Sequence, residues 1–189
     1  MNIYDPYPDH VVVDGKRYRI NTSYDRFLRA VDVHDMSDLT SADKLELQCR
    51  LLLATKRIPK DPVIQSAIVQ AVFDMLPKNK GSDNGEKYMD LHQDAPLIRS
   101  AFMRIGIDLS RDPIHFLQFF ELLGDLPSDT ALMRVIDIRR RKVPQLTKYN
   151  QEEVHWLQEA KARVALDLTD EERHKQFAAA LRNSAVLRG

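Results

Sequence analysis

The pattern that most restricts this chain is a recurring start signal. A short side-chain acceptor, sometimes followed by proline, stands ahead of apolar residues spaced three and four apart. Asp61-Pro62 opens "PVIQSAIVQAVF", and Asp112-Pro113 precedes "IHFLQFFELL". A side-chain oxygen at such a place accepts an otherwise unpaired backbone N–H, and proline in a first helical turn sacrifices no hydrogen bond. Thr22 or Ser23 stands before a face of Tyr24, Phe27, Leu28 and Val31. Thr40 or Ser41 stands before Leu45, Cys49, Leu52 and Leu53, a run that should stop before Pro59 because the residue preceding proline avoids helical geometry. Ile64, Ala67, Ile68, Ala71, Val72 and Met75 make a third stripe. These starts predict an all-α fold of about seven helices.

One segment departs from that period. "HVVVDGKRYRI", His10 to Ile20, flanks Asp14-Gly15 with β-branched and aromatic residues, the pattern of a hairpin closed by a type I′ turn. A lone hairpin is marginal in water, so it must pack on something else. "PKNKGSDNGEK", Pro77 to Lys87, carries no apolar residue and reads as a mobile loop. Beyond it, Asp94 to Ile105 reads as a helix with Leu97, Ile98, Ala101, Phe102 and Ile105 inward and Gly106 as a left-handed cap. Phe116, Leu117, Phe120 and Leu123 form the next face, closed by Gly124, and a further helix covers about Ser128 to Arg139. "NQEE" from Asn150 and "TDEE" from Thr169 have capping-box spacing and announce two C-terminal helices. The expected organisation is a helical domain over 1–149 with an N-terminal hairpin, followed by a helical extension over 150–189. Asp94, Asp112, Asp129 and Thr130 are expected to be caps or turn formers.

Charge and cysteine usage narrow the function. Lys plus Arg and Asp plus Glu number 28 each in 189 residues, so the whole chain exerts no general pull on nucleic acid or acidic membranes. Cys49 is the single cysteine, so neither a disulfide framework nor a thiolate metal site can be built. No apolar run approaches the ~20 residues that span a bilayer. The opening "MNIYDPYPDH" is unlike a signal peptide, and a soluble cytoplasmic protein is expected. The phosphate-cradling, dinucleotide and nucleophile-elbow glycine motifs are absent, and the histidines lack metal-ligand spacing. No catalytic, cofactor or metal residue is expected.

What stands out is material for contact. Phe119 falls off the Phe116–Phe120–Leu123 face, which asks for a second contact within the fold or with a partner. Arg139, Arg140, Arg141 and Lys142 either favour a helix C-terminal dipole or face an acidic partner. Val154, Leu157, Val164 and Leu168, then Phe177 and Leu181, form narrow stripes on charged segments, with Lys161 interrupting the first. They are either ordinary terminal helices or loosely docked arms that grip a partner. The candidate partner-binding set is therefore Phe119, Arg139, Arg140, Arg141, Val154, Leu157, Phe177 and Leu181.

"DPYPDHVVVDGKRYRINTSYDRFL", "QDAPLIRSAFMRIGIDL", "IHFLQFFELLGDLPSDT" and "VIDIR" together resemble the tail-assembly chaperone family of long-tailed bacteriophages and prophages, found mainly in Gram-positive hosts. In that family the gene precedes the tape-measure gene. Gln93, Asp94, Ile98, Ala101, Phe102, Gly106, Ile107, Asp108 and Leu109 match one motif. His115, Phe119, Leu122, Leu126, Pro127, Asp129 and Thr130 match a second, which Ile138-Arg139 closes. The likeness holds to about Pro144 and thereafter is only helical character. Phe116 and Leu117 stand where relatives often carry Trp or Tyr. The resemblance implies an all-helical, non-enzymatic protein of the host cytoplasm, absent from the mature virion, with no cofactor. It would bind the tape-measure protein, recruit the tail-tube protein and self-associate, with no membrane or nucleic-acid partner. The competing readings are a structural head–tail connector or tail completion protein, and an enzyme of unseen mechanism.

Overall fold

The computed structural model describes residues 4–76 and 87–167. Among them are seven α-helices and one two-stranded antiparallel sheet, in agreement with the expected class. The chain divides into two compact units by space rather than by sequence order.

The first unit holds the described residues up to 76 together with Phe102–Leu126. Its hairpin pairs β1 (His10–Val13) with β2 (Lys16–Arg19), placing Val11 opposite Tyr18. Asp14 and Gly15 have φ of 49° and 70°, the two positive angles a type I′ turn demands. β1 packs against α3 (Pro62–Phe73), which supplies the support an isolated hairpin lacks. α1 (Tyr24–Asp32) runs into a 3-10 turn at Val33–Asp35, and α2 (Ser41–Leu52) packs on both α1 and α3. The core gathers Val11, Ile20, Phe27, Cys49, Leu52, Ile68, Val72 and Phe116. Phe27 and Phe116 stack with centroids 4.6 Å apart.

Helix starts follow the expected chemistry in several places. Thr40 accepts from the Asp43 N–H, Asp61 from Val63, and Thr130 from Met133. α4 (Ala95–Arg104) ends at Gly106, whose φ is 83°. There the Gly106 N–H donates to the Met103 carbonyl and the Ile107 N–H to that of Phe102, a Schellman closure.

Two expected N-caps are corrected. Asp112 does not open a helix: α5 (Phe116–Gly124) begins later, and its cap is His115, whose Nδ1 accepts from the Leu117 N–H. The reason is tertiary. The Phe116 N–H donates to the Thr22 carbonyl and the Tyr24 N–H to that of Ile114, so residues 114–116 are held extended beside the start of α1. The Asp112 carboxylate instead accepts from the Asp108 N–H and closes a turn. Asn150 precedes α7 (Gln151–Arg163) without capping it, because its side-chain Oδ1 accepts from the Thr147 N–H and hydroxyl instead. Asp94 forms a turn as expected, its carboxylate accepting from the Asp90 N–H, and it also enters an ion pair described below. Asp129 lies in the turn before Thr130, and α6 (Ala131–Arg140) starts three residues beyond Ser128.

The second unit holds the described part of 85–101 together with residues from 127 to 167. α6 packs on α7, and Ile98, Ala101, Leu132, Val154 and Leu157 are buried. The expected division after residue 149 falls inside this unit. The expected loop at 77–87, apart from Lys87, lies outside the described residues, as do the expected second C-terminal helix and the candidate contact residues Phe177 and Leu181.

Candidate protein-contact surface

Cys49 and His115 are both committed to structure. Cys49 is buried, its thiol lies 3.7 Å from the Gln65 carbonyl, and burial pushes its pKa up to about 11. It is thereby a poor nucleophile. His115 is half-buried between Tyr7 and Phe116, with ring centroids at 4.9 and 4.7 Å. Its Nε2 donates to the Pro8 carbonyl at 3.0 Å while Nδ1 caps α5, which fixes a neutral tautomer. Desolvation holds its pKa below the ordinary value against the opposing effects of that hydrogen bond and of Glu121. Among the described residues no group of His, Cys, Asp or Glu is arranged to hold a metal, and no helix is long and apolar enough to cross a membrane.

The basic run Arg139–Lys142 divides into an inner and an outer part. Arg139 turns inward within the second unit. Its Nη1 and Nη2 meet the two Asp94 carboxylate oxygens at 2.6 and 2.9 Å, and the two side chains are 8% and 3% exposed. Its Nε donates to the Val164 carbonyl at the end of α7, and Nη1 also to the Tyr88 carbonyl. Lys161 reciprocates from α7, donating to the Arg139 carbonyl in the last turn of α6. Each helix thus supplies a cation to the unsatisfied C-terminal carbonyls of the other. This explains the lysine that interrupts the α7 stripe. Gln93 completes the arrangement, donating to the Ala165 carbonyl and accepting from the Asp167 N–H.

The remaining expected contact residues separate in the same way. Phe119 is 1% exposed: its off-stripe ring stacks on Tyr24 and Phe102 inside the first unit, at 5.0 and 5.2 Å. That is the second contact its position calls for, and it leaves no surface to present. Val154 and Leu157 are buried too, so their stripe faces the body of the second unit. Arg140 and Arg141 are exposed, the first over the Tyr88 ring and the second paired with Asp137.

The surface that sequence reasoning missed follows directly. Residues 140–149 are all exposed, yet they carry Val143, Leu146 at 67% and Tyr149 at 94% exposure. Asn150 folds the segment back on itself by donating to the Gln145 carbonyl while accepting from Thr147. Trp156, the only tryptophan, is half-exposed on α7 shortly after. Between Asp137 and Glu152 the sequence holds no acidic residue and five basic ones, Arg139, Arg140, Arg141, Lys142 and Lys148. That gap in acid was legible; exposure of the apolar residues within it was not, because it has no helical or strand period.

The family model described as Bacteriophage Gp15 protein matches residues 3–166, most of the chain, this exposed segment included. No curated protein and no solved structure matches the chain.

Proposed function

The chain belongs to the bacteriophage Gp15 protein family, and from this we propose that it is a non-enzymatic tail-assembly chaperone that binds the tape-measure protein and promotes tail-tube assembly. The observation that carries the reading is the contrast within the second unit. Polar side chains with chemical potential are tied into helix ends, while apolar side chains stand on an ordered, exposed, basic segment. Such a surface suits protein contact rather than turnover. A long helical tape exposes apolar surface that aggregates unless covered, and covering it favours a chaperone that lines up copies of itself head to tail. The protein would act in the host cytoplasm, recruit the tail-tube protein, and leave before the particle is complete.

Mass spectrometry of purified particles tests this reading. A chaperone is present in infected or induced cells and missing from finished particles. Recovery at a fixed copy number per particle would instead make the chain a head–tail connector or tail completion protein.

A further inference from the structure

We propose that Lys142–Tyr149 is a docking strip for an acidic, apolar-faced helical segment of a partner protein. The inference deepens the binding role above and rests on it, but identifies the partner by its chemistry. Three observations carry it. Val143, Leu146 and Tyr149 are exposed every third residue, so apolar anchors recur along the strip. Lys142 precedes Val143 and Lys148 precedes Tyr149, and neither lysine has a carboxylate partner among the described residues, whereas neighbouring Arg141 is paired with Asp137. The strip is also held at both ends. Arg139 is clamped to Asp94 three residues before it, and Asn150 bonds back to Gln145 and Thr147 at its close.

A partner of opposite charge gains from this arrangement in two ways. Carboxylates beside Lys142 and Lys148 speed encounter and set register, while Leu or Phe side chains next to them cover Val143, Leu146 and Tyr149. Because the backbone is already pinned, less ordering cost accompanies binding than for a free chain. A polynucleotide is the poorer fit. Phosphates make no use of exposed Val143 and Leu146, and Tyr149 is the single aromatic residue in the strip.

The test uses the full chain and a fluorescein-labelled amphipathic helical peptide with leucines on one face and glutamates flanking them. A second peptide replaces every glutamate by lysine, and a single-stranded oligonucleotide serves as a polyanion. Fluorescence anisotropy should show saturable binding of the glutamate peptide, weakened by salt, and none of the lysine peptide. Leu146→Asp with Tyr149→Asp, and separately Lys142→Glu with Lys148→Glu, should each reduce affinity by about tenfold or more, with unchanged melting temperature. Equal binding of both peptides, tighter binding of the oligonucleotide, or no effect of either double substitution overturns the proposal. So does a self-association in sedimentation that the same substitutions abolish, since the strip would then belong to a second copy. Peptide binding without co-purification of the tape-measure protein overturns the assembly reading alone. Co-purification untouched by the four substitutions overturns the strip alone.

Discussion

Arg139 grips both carboxylate oxygens of Asp94 with two guanidinium nitrogens, and neither side chain is open to solvent. The geometry joins the last turn of α6 to the residue that precedes α4. Breaking such a pair from one side strands a buried charge, at a cost of about 3–5 kcal/mol. Asp94→Ala and Arg139→Ala should each lower stability by that order in urea titrations. Asp94→Leu combined with Arg139→Met should cost less than the sum of the singles. Arg139→Lys should not rescue, because one ammonium cannot reach Asp94, Val164 and Tyr88 together.

Phe119 should behave as core. Phe119→Ala removes a buried ring stacked on Tyr24 and Phe102 and should cost about 3–5 kcal/mol. Leu146→Asp, on the exposed strip, should change stability by less than about 0.5 kcal/mol. Equal effects at the two positions would mean that burial does not separate them as described.

His115 should make stability depend on pH in one direction. Its folded pKa lies below the ordinary value of about 6.5, so the unfolded chain takes up the proton first as pH falls. The contribution is complete above about pH 6.5 and is lost progressively below it, as protonation removes the Nδ1 acceptor for the Leu117 N–H. Melting temperature should therefore fall as pH drops below about 6.5, and fall less in His115→Asn, which keeps a capping oxygen. Asp90, with its pKa lowered to about 2 chiefly by the Lys87 hydrogen bond, acts only in a far more acidic window.

Gly106 tests the backbone alone. A Cβ there would meet nothing within 4 Å, but φ is 83°, so Gly106→Ala should cost about 1 kcal/mol from the left-handed angle and not from crowding. A loss several times larger in thermal melts would point to a contact that this geometry does not contain.

Local signals were readable where local chemistry decides. Asp14-Gly15, Asp61-Pro62, Thr40, Thr130 and Gly106 each do what their residue types favour, because turn angles and N–H acceptors are settled within a few residues. Legibility failed where distant backbone intervenes. Asp112 loses its cap because Thr22 and Tyr24 hold residues 114–116 extended. Asp94 and Lys161 look like a cap and a stripe defect until Arg139, far along the chain, arrives to explain both. The contact surface was half visible. The basic run was evident, but which arginine turns inward depends on packing between α6 and α7, and burial of Phe119, Val154 and Leu157 follows from tertiary neighbours.

The most direct measurement of the central claim is co-expression of the full chain with the tape-measure protein, followed by affinity purification and quantification of both. The expected result is that soluble tape-measure protein rises several-fold in the presence of this chain and elutes with it in a complex containing several copies of the chain. Tape-measure protein that stays equally insoluble, or is equally soluble without the chain and does not co-elute, would contradict it.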